Sequence, residues 1–380
     1  MMKVPFFRHN LSAEDGHRMA AVLTGSHLTY GPIAKGVEAQ LCDFFGAGYA
    51  AATSSWSTGA LALFHALGIG PGDEVIVPAM TFVASANIPL LCGAKVRLVD
   101  VDPDTLLVTP ETVADAITPD TRAIFCVHLY GQMCDMIGLR RLADAHGVHL
   151  IEDCAHAFES QRAGIVPAMV SDAAIFSFYA TKNICCGEGG AVVTRNSHLH
   201  EKICTFRQHG MSANAAERFQ RQQYQHWDVE EPGMKGSLPD LLAALLGPQI
   251  ETCLSVLDRR RAIADRYRAA FAEMGLGMPT KLADGRHAEH LFPVHVGSAK
   301  RDAFLASINE AGVGATVNYR ALQTLSLFSS DNTQAPVARD WGEGTLSLPL
   351  FPGLTEREQS YVIDTVAQAL EQTQPLACSA

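Results

Sequence analysis

One lysine, Lys182, stands between the aromatic run Ser177-Phe178-Tyr179-Ala180-Thr181 and the glycine-rich turn Gly187-Glu188-Gly189-Gly190. An amine held on a turn among hydroxyls and rings suits Schiff-base chemistry, because burial lowers a lysine's pKa and leaves a nucleophilic free amine. Most lysines are solvated, so the reading depends on what accompanies it. Asp153 leaves an apolar run and precedes Cys154-Ala155-His156. Such an aspartate either caps the next helix or pairs with a protonated ring nitrogen, keeping the ring cationic as an electron sink. Ser54-Ser55-Trp56-Ser57-Thr58-Gly59 opens a helical run toward Leu67. Hydroxyls and a glycine at a helix start are ordinary capping, and they equally offer a phosphate seat of free N–H groups at the positive dipole end. Phe82, at another strand-to-helix junction, reads as a core ring or as one stacked on a cofactor.

The surrounding pattern supplies a frame for these residues. Apolar runs at 74–78, 95–100, 122–128 and 148–152 read as strands buried on both faces. Between them come helical segments at 83–92, kinked at Pro89, at 110–117, opened by Pro110, and at 136–146. Strand and helix in series predict an α/β fold, a mainly parallel sheet flanked by helices. Ligands of such sheets bind beyond the carboxyl ends of the strands, where Asp153 falls. The turn-rich EEPGMKG at 230–236 predicts a hinge, followed by a long helix over 239–271. Strands at 291–296, 315–318 and 345–348 with helices at 300–311 and 355–370 make a smaller α+β unit. The expected division is a large domain over 1–238, then a linker helix and small C-terminal domain over 239–380.

Composition narrows the function classes. The 380-residue chain carries a net charge of -11, which disfavours a nucleic-acid surface, since phosphate backbones need clustered cations. None of the ten cysteines forms a C-x-x-C pair, so free thiols in a reducing, cytoplasmic setting are expected. No uninterrupted apolar run reads as a membrane span, and residues 1–10 do not read as a signal peptide. Gly68-Ile69-Gly70-Pro71-Gly72 follows a helix and precedes a strand, the wrong order for a dinucleotide loop. His287 and His290, and His128, His146 and His149, lack a carboxylate-histidine metal signature, so no metal is expected.

In order along the chain stand VPAMTFVASAN, LVDVDPDT, VHLYGQ, IEDCAH, SFYATKNICCGEGGAVVT and LSLPLFPGLT. With these motifs the chain resembles, over nearly its whole length, the DegT/DnrJ/StrS sugar aminotransferases of the fold type I class. The resemblance implies pyridoxal 5'-phosphate bound as a Schiff base to Lys182, with Asp153 on the pyridine nitrogen and His156 against the ring or its 3-oxygen. It implies Phe82 stacking on that ring, Trp56, Ser57 and Ser177 at the phosphate, and Asn183 beside them. Lys235, in Gly233-Met234-Lys235-Gly236, matches a position that completes the neighbouring subunit's phosphate site, so a homodimer is implied. His156 stands where many relatives carry glutamine, and Trp56-Ser57 where glycine-threonine is usual. Val317-Asn318-Tyr319-Arg320 departs from the common His-Tyr-x-Pro. Lys182 argues against the branch that carries histidine there and removes a hydroxyl. The implied reaction moves an amino group from an amino acid, glutamate or glutamine, to a keto-sugar on a nucleoside diphosphate, with pyridoxamine phosphate as the carrier. Arg207 and Arg320 are candidates to meet the diphosphate. The rival readings are a keto-cyclitol aminotransferase and a non-catalytic ligand sensor.

Overall fold

The computed structural model describes residues 2–211, 228–229, 231–329 and 334–373; Glu230 and Cys378 lie outside them. Two helices, α1 (Ala13–Leu23) and α2 (Pro32–Phe45), precede β1 (Tyr49–Thr53) and α3 (Trp56–Ala66). There follow β2 (Glu74–Pro78), α4 (Ala84–Leu91), β3 (Lys95–Val99), α5 (Pro110–Ala114), β4 (Thr121–Val127), α6 (Met136–His146) and β5 (His149–Asp153). After the short β6 (Gln161–Arg162) come β7 (Ala173–Ser177), β8 (Gly190–Thr194) and α7 (Ser197–Phe206).

The long strands form one seven-stranded sheet in the order β1-β8-β7-β5-β4-β2-β3. From β7 to β3 all pairings are parallel, and β8 runs antiparallel to both its neighbours. Runs such as Val75-Ile76-Val77 and Ile124-Phe125-Cys126 are buried throughout, as the central strands of a sheet covered on both faces must be. Leu63, Phe64 and Leu139 pack one face, and Leu41, Phe45 and Phe158 the other. The parallel arrangement sends the ends of β2, β4, β5 and β7 to a single edge. There the chain places Thr81 and Phe82 after β2, Asp153 on β5 and Ser177 on β7.

The helix expected over 239–271 is divided. A turn of helix at Asp240–Ala243 stops before Gly247-Pro248, and the long helix Gly247–Glu273 begins there with proline in its first turn. Within Asp240–Glu273 one 18-residue window is long and apolar enough to cross a membrane by length and composition alone, a test that a packed core helix also passes. Here its apolar side is packed: Ile250 and Cys253 enter the core of the large sheet, and Ile263, Tyr267 and Phe271 enter a third core.

That third core gathers Phe292, Phe304 and Phe351 around an antiparallel pair, β10 (Phe292–His295) with β11 (Thr345–Leu348); β9 (Gly285–Arg286) pairs instead with β6. The strand expected at 315–318 is only a bridge from Thr316 to Ser347. Val4 also belongs to this core and bridges Val313. The first residues of the chain thus pack with the C-terminal unit rather than with the sheet that follows them in sequence.

Candidate active site

Lys182 sits on a tight turn. Its N–H donates to Tyr179 O at 2.9 Å, and Phe178 N and Ala180 N donate to Gly189 O and Gly187 O, so the loop between β7 and β8 closes on itself. The turn holds the side chain in a cavity of about 400 Å³ lined by Trp56, Ser57, Phe82, Asp153, His156 and Ser177, with Thr181, Glu188, Asn318 and Tyr319 among the other walls. Burial lowers the Lys182 pKa to about 8, against the opposing pull of Asp153. Near neutrality a usable fraction of this amine is the unprotonated base that imine chemistry requires.

Asp153, at the end of β5, is buried, and burial raises its pKa against hydrogen bonds from Ala155 and Ser85 and the charge of Lys182. Its Oδ1 accepts from Trp56 Nε1 at 3.1 Å and from Ala155 N at 3.0 Å, while Oδ2 accepts from Ser85 Oγ at 2.8 Å. A carboxylate has about four acceptor directions. Three are taken, and Asp153 lines the cavity with one remaining. That unused direction fits a protonated ring nitrogen.

Trp56 therefore differs from its sequence reading. Its indole turns inward, stacked 6.0 Å from Phe125 and bonded to Asp153, so the side chain fixes the carboxylate instead of meeting a phosphate. Its main chain starts α3, where Ser55 Oγ accepts from Thr58 N. The first N–H groups of a helix lack intrahelical acceptors, and those of Trp56 and Ser57 belong to residues lining the cavity. β8 passes hard against this turn: a Cβ on Gly190 would lie 2.6 Å from Trp56 N, so only glycine fits. The residues present thus fit a pyridoxal phosphate: Asp153 would meet its ring nitrogen, and the free N–H groups at the start of α3 would meet its phosphate.

Other expected residues fall in different places. Phe82, 54% exposed, stands at the mouth, 5.6 Å from the Tyr319 ring. His156 is buried, and its Nδ1 accepts from Tyr130 N. Asn183 is corrected: it lies behind the wall, its Nδ2 donating to Glu159 Oε2 and Ala288 O, each at 3.0 Å, and its Oδ1 facing His290 Nδ1 at 3.0 Å. Arg207 is corrected as well. It is buried, its guanidinium taken up by Glu38, 2.6 Å away, the Ala52 carbonyl and the Tyr30 hydroxyl. Arg320 is exposed and donates to Thr324 O. Lys235 is exposed outside its own cavity lining, on a segment whose Gly236 O accepts from Ser54 N at 2.7 Å.

Sequence reasoning missed Ser85, although it lies in the quoted VPAMTFVASAN, and it missed Tyr130 and Tyr319 as site residues. A second polar cluster joins Cys126, His128 and Cys134, and His128, Glu152 and Cys154, each set within 4.8 Å. Its groups serve one another: His128 Nε2 meets Glu152 at 2.7 Å, Cys134 N donates to His128 Nδ1, and Glu152 accepts from Ala168 N and Ser171 Oγ. This cluster ties the ends of β4 and β5 together. The nine described cysteines are free thiols.

Comparison with known proteins supplies the family. A model of the DegT/DnrJ/EryC1/StrS aminotransferase family matches residues 9–367. S. venezuelae DesV, solved in complex with a ketimine intermediate, is 32% identical with a TM-score of 0.89, covering 98% of this chain and 100% of that one. Spr1654 from Streptococcus pneumoniae in its PMP form is 26% identical with a TM-score of 0.91, again over 98% and 100%. Helicobacter pylori PseC, an aminotransferase involved in the biosynthesis of pseudoaminic acid, is 25% identical with a TM-score of 0.90 over 98% and 100%.

Proposed function

The chain belongs to the DegT/DnrJ/EryC1/StrS aminotransferase family, and from that premise we propose that it moves an amino group from glutamate or glutamine to a keto-sugar carried on a nucleoside diphosphate. The enzyme depends on pyridoxal 5'-phosphate. When bound, that group supplies an aldehyde carbon for amines and a ring that accommodates the electron pair left by a departing proton.

The chain's own residues do the rest. Asp153 holds the proton on the ring nitrogen, and Trp56 and Ser85 hold Asp153. Ser57, the main chain of Trp56 and Ser177 seat the phosphate. Phe82 covers the ring at the mouth, and His156 packs against it. Lys182 would anchor the aldehyde carbon, and its free amine would move the proton at the substrate's α-carbon. The carrying observation is the pairing, in one cavity, of a buried amine with pKa about 8 and a carboxylate with one acceptor direction unused.

Lys235 completes the phosphate seat of a second copy, so the working unit is a homodimer in the cytoplasm. Its exposure beside the start of α3 supports that reach. Co-expressing Lys182→Ala with Lys235→Ala tests it: hybrid dimers carry one intact site and regain activity that neither parent has. Mixtures as inactive as the parents would place Lys235 in its own site. The reaction is tested by mass spectrometry of the pyridoxamine-loaded enzyme against nucleotide-linked keto-deoxyhexoses and free keto-cyclitols. Amination of the nucleotide-linked ketones is expected; amination of cyclitols alone overturns the substrate class.

A further inference from the structure

The hydrogen bonds around His156 fix the direction of one more proton. Tyr130 N donates to His156 Nδ1 at 3.2 Å, so that nitrogen presents a lone pair. Burial, reinforced by Lys182 and His290, holds the His156 pKa well below the usual range and the ring neutral. Its single proton is therefore on Nε2. Nε2 stands 3.1 Å from Tyr319 Oη and donates to it. The phenol oxygen thus acts as acceptor toward His156, and its own O–H is left for the cavity that Tyr319 lines.

The placement is held from both ends. Tyr130, at φ 58, and Gly131, at φ 110, form the turn that aims the Tyr130 N–H at His156. A Cβ on Gly131 would approach Glu289 N to 3.0 Å, so that turn requires glycine. The Tyr130 hydroxyl donates to Asn318 O at 2.5 Å and fixes the segment carrying Tyr319. The Tyr319 ring lies nearly parallel to that of His156, 5.9 Å away. Burial raises the phenol's pKa and keeps it protonated. Accepting from an imidazole N–H also polarises its O–H.

We propose that Tyr319 is a catalytic residue whose O–H donates a hydrogen bond to the carbonyl oxygen of the acceptor sugar, the oxygen that amine transfer replaces by nitrogen. The inference rests on the amine-transfer reading above. Negative charge grows on that oxygen as an amine adds to the carbonyl carbon, and a donor already aimed there stabilises the change without reorganising. His156 is a positioning residue. By occupying the phenol's acceptor side, it turns the proton outward.

The test is Tyr319→Phe, which keeps the ring and removes the proton. The kcat/KM for the best nucleotide-linked keto-deoxyhexose is expected to fall about 100-fold, the scale of losing one oxyanion donor. The second readout needs no turnover. The same ketone, labelled with ¹³C at its carbonyl, is bound to the aldehyde-loaded enzyme without amino donor, and its C=O stretch is read by infrared difference spectroscopy. It should lie at lower wavenumber in the wild type than in Tyr319→Phe, with His156→Leu in between. Equal wavenumbers, or a Tyr319→Phe enzyme aminating within twofold of wild type, overturn the proposal. A lowered stretch in a wild type that transfers no amine keeps the hydrogen bond and removes the parent reading, so the two failures are separable.

Discussion

Glu289 and Asp153 are both buried carboxylates, in opposite surroundings. Around Glu289 stand Arg268 at 2.7 Å, Lys281 at 3.0 Å and His287 at 3.4 Å. Burial alone would raise its pKa, yet His287, Arg268 and Lys281 bring it to about 2. Asp153 has two side-chain donors and one main-chain N–H, but no cation within ion-pair distance among the described residues, and its pKa is raised. The first charge is matched inside the fold and serves stability. The second is left partly unmatched where a cavity opens, which is how a site stores affinity for a cationic ring.

The contrast can be broken at several points. Lys182→Ala should abolish amine transfer and the visible absorbance of the cofactor bound to the lysine. An enzyme that keeps both would remove the cavity from consideration. Asp153→Asn should reduce transfer on the order of 10³-fold, within the range for losing a proton-handling group. The same change should leave the cofactor-free protein as stable as wild type or more so, since it removes a strained buried charge; a lower melting midpoint contradicts the comparison. Glu289→Gln should do the reverse, leaving the chemistry nearly intact but costing about 2 kcal/mol in urea unfolding. That is below the 3–5 kcal/mol of a fully enclosed pair because Arg268 and Lys281 reach solvent.

The pH dependence is subtler, and its sign separates the two residues. Glu289, depressed from 4.5 to about 2, contributes stability that is complete above pH 4.5 and is lost as pH falls toward 2. Asp153, raised above 3.8, favours the folded state while protonated and becomes a cost as pH rises through its folded value. Urea titrations across the acid range should show Glu289→Gln flattening the rise between pH 2 and 4.5. Asp153→Asn should relieve a loss at higher pH. In the cofactor-free protein, labelling of Lys182 by an amine reagent should rise with a midpoint near pH 8.

The parallel sheet was legible because its strands are unbroken apolar runs with turn residues between them. Met136–His146 emerges with the expected bounds, and β2 likewise. Lys182 and Asp153 were legible for a related reason: each lies within a few residues of the local feature that positions it, a turn and a strand end. What resisted reading depends on distant segments. Nothing near Trp56 announces that its indole reaches Asp153, 97 positions away, and nothing near His156 announces Tyr319, 163 positions on. Arg207 misled for the same reason, since its basic side chain reads as available for a diphosphate until Glu38 is found against it. The strand expected at 315–318 failed because apolar alternation there found only one bridging partner.

The attachment of Val4 to the third core bears on how the chain matures. This segment is synthesised long before its partner Val313, which emerges only after the whole large sheet has been made. Val4 must wait for that partner while some three hundred intervening residues are made, and the third core is finished by docking an early-made segment onto a late-made one.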